Sequence, residues 1–259
     1  MNIPIVNIDS LQIVDVAKKA GDAIMEVYKR DFEIYEKSDN SPLTEADLAS
    51  HKVIYERLKG MTPDLPVLSE ESPKEEIKDR MSWQTYWLID PLDGTKEFIK
   101  KNGEFTVNIA LVHQNETIFG VVDAPALKVT YWGGKDVGSF KLENDAERPI
   151  SVTNKQQNTK DMKIVGSRSH QSKAFVEFIA DYPGAKIVSM GSSLKFCLVA
   201  EGCADLYPRL GPTSEWDTAA AQAVVEGAQG SVLSLKDNLP LNYNTNDSSL
   251  LNPYFLVSN

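Results

Sequence analysis

The chain has 259 residues, 42% of them hydrophobic, which is enough to bury one large core or two modest ones and excludes extensive disorder. Its formal net charge of −10 lacks the basic footprint that nonspecific nucleic-acid binding requires, and an anionic substrate would need bound cations to offset repulsion. No run of about eighteen apolar residues is present, and Met1-Asn2-Ile3-Pro4 lacks the basic and apolar regions of a signal peptide, so a cytoplasmic protein is expected.

In chain order, Leu11, Ile13, Val14, Ala17, Ile24, Val27 and Tyr28 recur at helical spacing and predict a first helix over residues 10–30, capped by Asp9 or Ser10. After a polar loop at 38–42, Thr44 can cap a second helix reaching residue 60, with Asp47 three residues on as its capping-box partner. These two helices are expected to precede any strand of note. Residues 66–68 lead into Ser69-Glu70-Glu71-Ser72. An apolar run at 86–89 suits a buried strand, which Pro91 is expected to end. A meander follows over 105–112, 117–122, 128–131 and 138–142, with turns at Asn115 and Gly133-Gly134. Beyond Arg148-Pro149, strand segments at 163–165, 186–190, 205–207 and 231–235 alternate with helical ones. The expected division is an N-terminal α+β lobe, 1–150, and a C-terminal α/β lobe, 151–259, packed together because no flexible linker separates them. Cys197 and Cys203 have no metal-ligand partners nearby and read as reduced, small core residues.

The chemistry concentrates in Asp90-Pro91-Leu92-Asp93-Gly94-Thr95. Two carboxylates and the Leu92 carbonyl offer three hard oxygen ligands to a cation such as Mg²⁺, and free N–H groups around Gly94 and Thr95 suit a phosphate oxygen. Ordinary turn punctuation explains a lone Asp-Pro or Asp-Gly equally well. A haloacid-dehalogenase-type phosphatase places its two acids closer together, and an EF-hand needs alternate acids and a later glutamate. Glu70 follows a short apolar run as Asp90 does and could bridge a metal and a water, though Glu-Glu is more often a solvated turn. Asp217, in Glu215-Trp216-Asp217-Thr218, reads alone as the cap of the alanine-rich helix that begins there.

Together, Ser41-Pro42-Leu43-Thr44-Glu45-Ala46-Asp47, Leu68-Ser69-Glu70-Glu71, Asp90-Pro91-Leu92-Asp93-Gly94-Thr95 and Trp216-Asp217-Thr218-Ala219-Ala220 resemble the inositol monophosphatase superfamily of Mg²⁺-dependent, lithium-sensitive phosphatases. Lys96-Glu97-Phe98, the run from Asn102 to Ala110 and Gly191-Ser192-Ser193-Leu194-Lys195 are similar to its 3′(2′),5′-bisphosphate nucleotidases of the CysQ type. The resemblance implies a layered α-β-α-β-α sandwich and hydrolysis of adenosine 3′,5′-bisphosphate to AMP, with the sulfated nucleotide as a further candidate substrate, in sulfur metabolism. Carried over by motif position, Glu70, Asp90, Leu92, Asp93 and Asp217 would hold roughly two or three Mg²⁺ ions. Glu70, Thr95 and Asp47 would be catalytic. Substrate would contact Glu70, Leu92, Asp93, Gly94, Thr95, Asp217, Ser192, Lys195, Arg209 and His170. The resemblance also implies peripheral association with the cytoplasmic face of the inner membrane, for which the sequence offers no basic amphipathic helix or lipidation motif. No nucleic-acid or protein partner is evident. The rivals are an inositol or sugar phosphate phosphatase of the same superfamily and a non-catalytic, metal-dependent anion-binding protein.

Overall fold

The computed structural model describes residues 1–3, 5–36, 42–153, 159–166 and 172–259. Strand β1 (Asn2–Ile3) pairs with β2 (Ile8–Asp9) ahead of α1 (Ser10–Tyr28), and the Asp9 side chain caps α1 by accepting from the Leu11 amide. Strand β3 (Ile34–Glu36) pairs with β4 (Pro42–Thr44), which delivers the chain to α2 (Glu45–Met61). Thr44 and Asp47 form the capping box there. Two very short hairpins therefore precede the helices where none was expected, because pairings of two or three residues leave no alternating pattern to read.

Strand β5 (Val67–Ser69) runs parallel to β6 (Thr85–Asp93), and α3 (Thr95–Ile99) leads on to β7 (Thr106–His113), β8 (Glu116–Ala124), β9 (Val129–Gly134), β10 (Gly138–Glu143) and β11 (Ala146–Ile150). These seven strands make one sheet in the order β11-β10-β9-β8-β7-β6-β5. The rest of the chain gives β12 (Lys163–Gly166), α4 (Lys173–Ala180), β13 (Lys186–Ser189), α5 (Leu194–Ala200), β14 (Leu206–Arg209), α6 (Ala219–Gly227), β15 (Ser231–Ser234) and β16 (Phe255–Ser258). Its five strands are ordered β13-β12-β14-β16-β15.

The apolar run in β6 is continuous because both its faces are covered. Trp87 and Ile89 join the cluster under α1 and α2 with Ile13, Ile24 and Ile54. Tyr86 and Leu88 face the other way, into a cluster with Val224 of α6, Phe196 of α5, and Phe255 and Val257 of β16. Each such side chain, fully buried, contributes about 1.5–3 kcal/mol. On the far side of the second sheet, Phe175 of α4 packs on Ile164 and Leu206. The layers are thus α1/α2, seven-stranded sheet, α5/α6, five-stranded sheet and α4, the α-β-α-β-α sandwich. One core cluster draws on residues from both sides of position 150.

Several local expectations need correction. Pro91 does not end β6: the ladder jumps from Asp90↔Asn108 to Asp93↔Thr106, so one extra residue bulges out and the strand resumes. The bulge is held by Ser50 Oγ donating to the Pro91 carbonyl at 2.6 Å and the Leu92 amide donating to Asp90 Oδ1 at 3.0 Å. Gly133 and Gly134 lie inside β9 rather than in a turn. A Cβ on them would come within 2.2 Å of Ser139 Oγ and of the Ile118 carbonyl, respectively, so close strand approach explains both. Cys197 is buried, but Cys203 is exposed. Asp217 belongs to a 3-10 turn over Glu215–Asp217 whose cap residue is Ser214, and Thr218 caps α6. Among the described residues, no helix is long and apolar enough to cross a membrane.

One acid outside the expected site is held in an unusual state. Asp123 in β8 is 4% exposed, accepts from Thr130 Oγ1 at 2.6 Å and faces α1, where a Cβ on Gly21 would come within 2.5 Å of its Oδ2. Burial pushes its carboxyl up to about 7, against the Thr130 hydrogen bond and the Lys18 charge, with Asp22 adding to the rise. The folded state therefore binds a proton that the unfolded chain has already released, so this group's contribution is lost as pH rises from the ordinary carboxylate range through 7. Asp123→Asn is expected to flatten the stability profile over that window and to be more stable than the parent at pH 8 by on the order of 2–4 kcal/mol, as read by denaturant titration at several pH values. An unchanged profile would show that Asp123 is ionised in the fold.

Candidate active site

The bulge in β6 turns two carboxylates to one side. Asp90, 1% exposed, Asp93 and Asp217 bring carboxylate oxygens within 4.8 Å of one another, although Asp217 arrives from a turn more than a hundred residues later. Glu70 follows β5, its amide donating to the Ile89 carbonyl at 3.2 Å, and it stands outside that tight group. Its charge is nonetheless felt there. Burial first, then Glu70, Asp93 and Asp217, hold the Asp90 carboxyl well above the usual range. Asp217 is pushed up to about 7 by burial and then by Asp93 and Glu70. Such mutual repulsion is what a multivalent cation relieves, and the donors are all hard oxygens, so the residues fit Mg²⁺ or a similar ion.

A buried polar chain fixes the acids. Asp93 Oδ2 accepts from the Ser193 amide at 2.6 Å and lies 2.8 Å from Ser193 Oγ, which is also 2.7 Å from the Asp217 carbonyl. Asn108 Nδ2 donates to Ser193 Oγ at 2.9 Å, and Thr106 Oγ1 donates to Asn108 Oδ1 at 3.0 Å. Asp217 Oδ2 accepts from the Ser214 amide at 3.0 Å, so a capping bond and a place in the acid cluster coexist. Beside them, Thr95 Oγ1 is 3.3 Å from Asp47 Oδ1 and 3.4 Å from the Leu92 carbonyl, while Asp47 Oδ2 accepts from the Thr44 amide and hydroxyl at 2.7 Å each. Gly94, with φ +93°, makes the turn between Asp93 and Thr95, which an L side chain would strain.

Next to Asp93 and Gly94 opens a cavity of about 240 Å³ with Lys96, Ser192, Lys195 and Arg209 in its wall. The same three cations border a second cavity of about 370 Å³ that includes Phe175 and Tyr207. Lys195 is not surface charge: it is 9% exposed, its Nζ donates to the Ser192 carbonyl at 2.5 Å, and burial lowers its pKa although Asp93 pulls the other way. Arg209 donates to Thr213 Oγ1 and, at 2.7 Å, to the Pro212 carbonyl. Ser192 sits at φ +44°, and its buried hydroxyl has no partner among the described residues. His170 and Ser41 lie outside the described residues. His51, given no role by the sequence, places Nδ1 2.9 Å from Ser69 Oγ.

The inositol monophosphatase family profile matches residues 8–257. The chain belongs to the inositol monophosphatase family. Within that family it is 48% identical over 249 residues to the 3′(2′),5′-bisphosphate nucleotidase CysQ of Salmonella typhimurium, covering 95% of this chain and 98% of that protein. It is 37% identical to CysQ of Haemophilus influenzae, over 95% of this chain and 91% of that one. Among solved structures, CysQ from Bacteroides thetaiotaomicron superimposes with a TM-score of 0.83 at 39% identity, over 96% of both chains. The family is metal-dependent, in keeping with the acidic cluster.

Sequence reasoning missed Ser193 and Asn108 as the support of Asp93, and Lys96 and Glu104 as members of the cavity wall. A signal existed for Asn108: it is a polar residue facing the same way as Thr106 inside an otherwise apolar strand. Ser193 stood in a quoted motif, but nothing local pointed to its partner a hundred residues away.

Proposed function

We propose that this protein is a Mg²⁺-dependent 3′(2′),5′-bisphosphate nucleotidase that hydrolyses adenosine 3′,5′-bisphosphate to AMP and phosphate, with the sulfated nucleotide as a second substrate. The observation that carries this reading beyond a general phosphatase is the buried Lys195, with Arg209, in a cavity that adjoins Asp93. A single phosphate at the acid cluster would leave those cations without an anion. Glu70, Asp90, the Leu92 carbonyl, Asp93 and Asp217 would hold roughly two or three Mg²⁺ ions. The ions supply Lewis acidity, making water a better nucleophile at neutral pH and offsetting charge on the transferred phosphoryl group.

The remaining work falls to the chain's own groups. Thr95 Oγ1, directed to Asp47 Oδ1, has its lone pairs available to accept a hydrogen bond from the attacking water, and Glu70 would take the water's proton. Asp47 is itself fixed by Thr44, so the Thr95 hydroxyl is pre-oriented. Lys195, Arg209 and Ser192 grip the phosphate that stays, and the resemblance assigns the base or ribose to His170. The lobe of residues 1–150 thus supplies Glu70, Asp90, Leu92 and Asp93, and residues 151–259 supply Asp217 and the anion-binding side chains.

Phosphate release from adenosine 3′,5′-bisphosphate, inositol phosphate and fructose bisphosphate tests the reading. The nucleotide is expected to be the best substrate, with activity lost on chelation, restored by Mg²⁺ and inhibited by lithium. Preference for inositol phosphate would favour the sugar phosphatase alternative, and full activity in excess chelator would exclude the metal-assisted route.

A further inference from the structure

Glu104 stands in the wall of the cavity that gathers Lys96, Lys195 and Arg209, where its carboxylate repels the anion those cations attract. Its retention there needs a reason, and the hydrogen bonds supply one. Glu104 Oε2 accepts from the Gly191 amide at 2.9 Å, and the Glu104 amide donates to Asn102 Oδ1 at 2.9 Å, which fixes the approach to β7. The two segments touch at backbone level: a Cβ on Gly191 would lie 2.8 Å from the Glu104 carbonyl oxygen and 3.0 Å from Glu97 Cγ.

After Gly191, Ser192 and Lys195 line the cation-rich cavity and Ser193 holds Asp93, while Leu194 turns into the core. Ser192 is held at φ +44° with its hydroxyl buried and unpartnered among the described residues, and its carbonyl anchors Lys195 Nζ. Ser193 binds Asp93 through its amide and hydroxyl. Segment 191–193 is therefore tied at one end by Glu104 and at the other by Asp93, and the strained residue between the ties is Ser192. Cutting the Glu104 tie lets Ser192 relax to a commoner conformation, which moves both its hydroxyl and the carbonyl that aims Lys195.

We propose that Glu104 is a positioning residue for recognition of the phosphate that is not cleaved, acting through the Gly191 amide rather than by touching substrate. This rests on the nucleotidase reading of Ser192, Lys195 and Arg209 given above.

The test compares wild type, Glu104→Ala and Glu104→Gln on adenosine 3′,5′-bisphosphate and on adenosine 3′-monophosphate, with Tm measured for each protein. Alanine removes the acceptor, so KM for the bisphosphate is expected to rise about tenfold with kcat within about twofold. Glutamine keeps the acceptor and removes the repulsion, so its KM is expected at or below that of wild type. The ratio of kcat/KM for the two substrates should fall in the alanine variant alone. If glutamine raises KM as alanine does, the charge itself meets substrate and the positioning role is overturned. If both substrates lose kcat in step with a lower Tm, the role is merely structural, which also overturns it. A wild-type enzyme without preference for the bisphosphate would overturn the nucleotidase reading and this proposal with it.

Discussion

Asp93→Asn is expected to abolish turnover, by on the order of a thousandfold in kcat, in a protein that still folds. The loss corresponds to several kcal/mol of charge stabilisation at the phosphoryl group. The fold survives because the asparagine carbonyl can accept the Ser193 amide bond that Asp93 Oδ2 accepts at 2.6 Å. Asp217→Asn should behave alike, since its Ser214 amide bond also needs only an acceptor. In chelator, each variant should melt above wild type, because one of several crowded negative charges is gone. With Mg²⁺ the order should reverse, because wild type gains ligand-linked stabilisation that the variants largely forgo. Glu71→Gln is the control and should be mild. Near-normal turnover in Asp93→Asn, or an inactive Glu71→Gln beside a silent Glu70→Gln, would refute this assignment of the acids.

The second large effect concerns Lys195 and Arg209. Replacing either by alanine is expected to lower kcat/KM for adenosine 3′,5′-bisphosphate by roughly ten- to a hundredfold, the equivalent of one charge-assisted bond of about 1.5–3 kcal/mol. Lys195 lies deep enough that alanine also leaves a void, so Lys195→Met, which keeps most of the volume, should show the same loss. A substrate with a single phosphate never makes these bonds and should lose far less. Surface charges that merely steer anions would give equal losses on both substrates, strongly attenuated by salt. Equal losses would leave only the general phosphatase assignment.

Much of this was legible in the sequence because the relevant signals are local. The capping box of Thr44 and Asp47, the apolar run into Asp90 and the acid-proline-acid-glycine order each declare themselves within a few residues. The long strands and main helices announce themselves by periodicity. What stayed hidden depends on contacts distant along the chain. Pro91 reads as a stop because a proline cannot donate to a ladder, yet a bulge lets β6 step over it, and that step is what aims Asp90 and Asp93 together. Strands β11 and β16 were missed, the first carrying charged Glu147 and Arg148 on a sheet edge. The resemblance named Lys195 as a phosphate contact, but its burial depends on packing from distant segments that the sequence does not display.

The position of β16 governs how the molecule can be made. Phe255–Ser258 does not sit at an edge: it lies between β14 and β15, antiparallel to both, with Phe255 and Val257 fully buried against the layer that carries α5 and α6. During synthesis the second sheet therefore has a vacant internal slot until residue 258 has left the ribosome, with β14 and β15 exposing unpaired edges on either side. Arg209 ends β14, and its pairing partner is Phe255, so the substrate-facing end of that strand cannot be set earlier. A nascent chain that already holds Asp90, Asp93 and Asp217 would still lack a finished binding surface, and premature release just short of β16 would yield a sticky, inactive species rather than a slightly shortened enzyme.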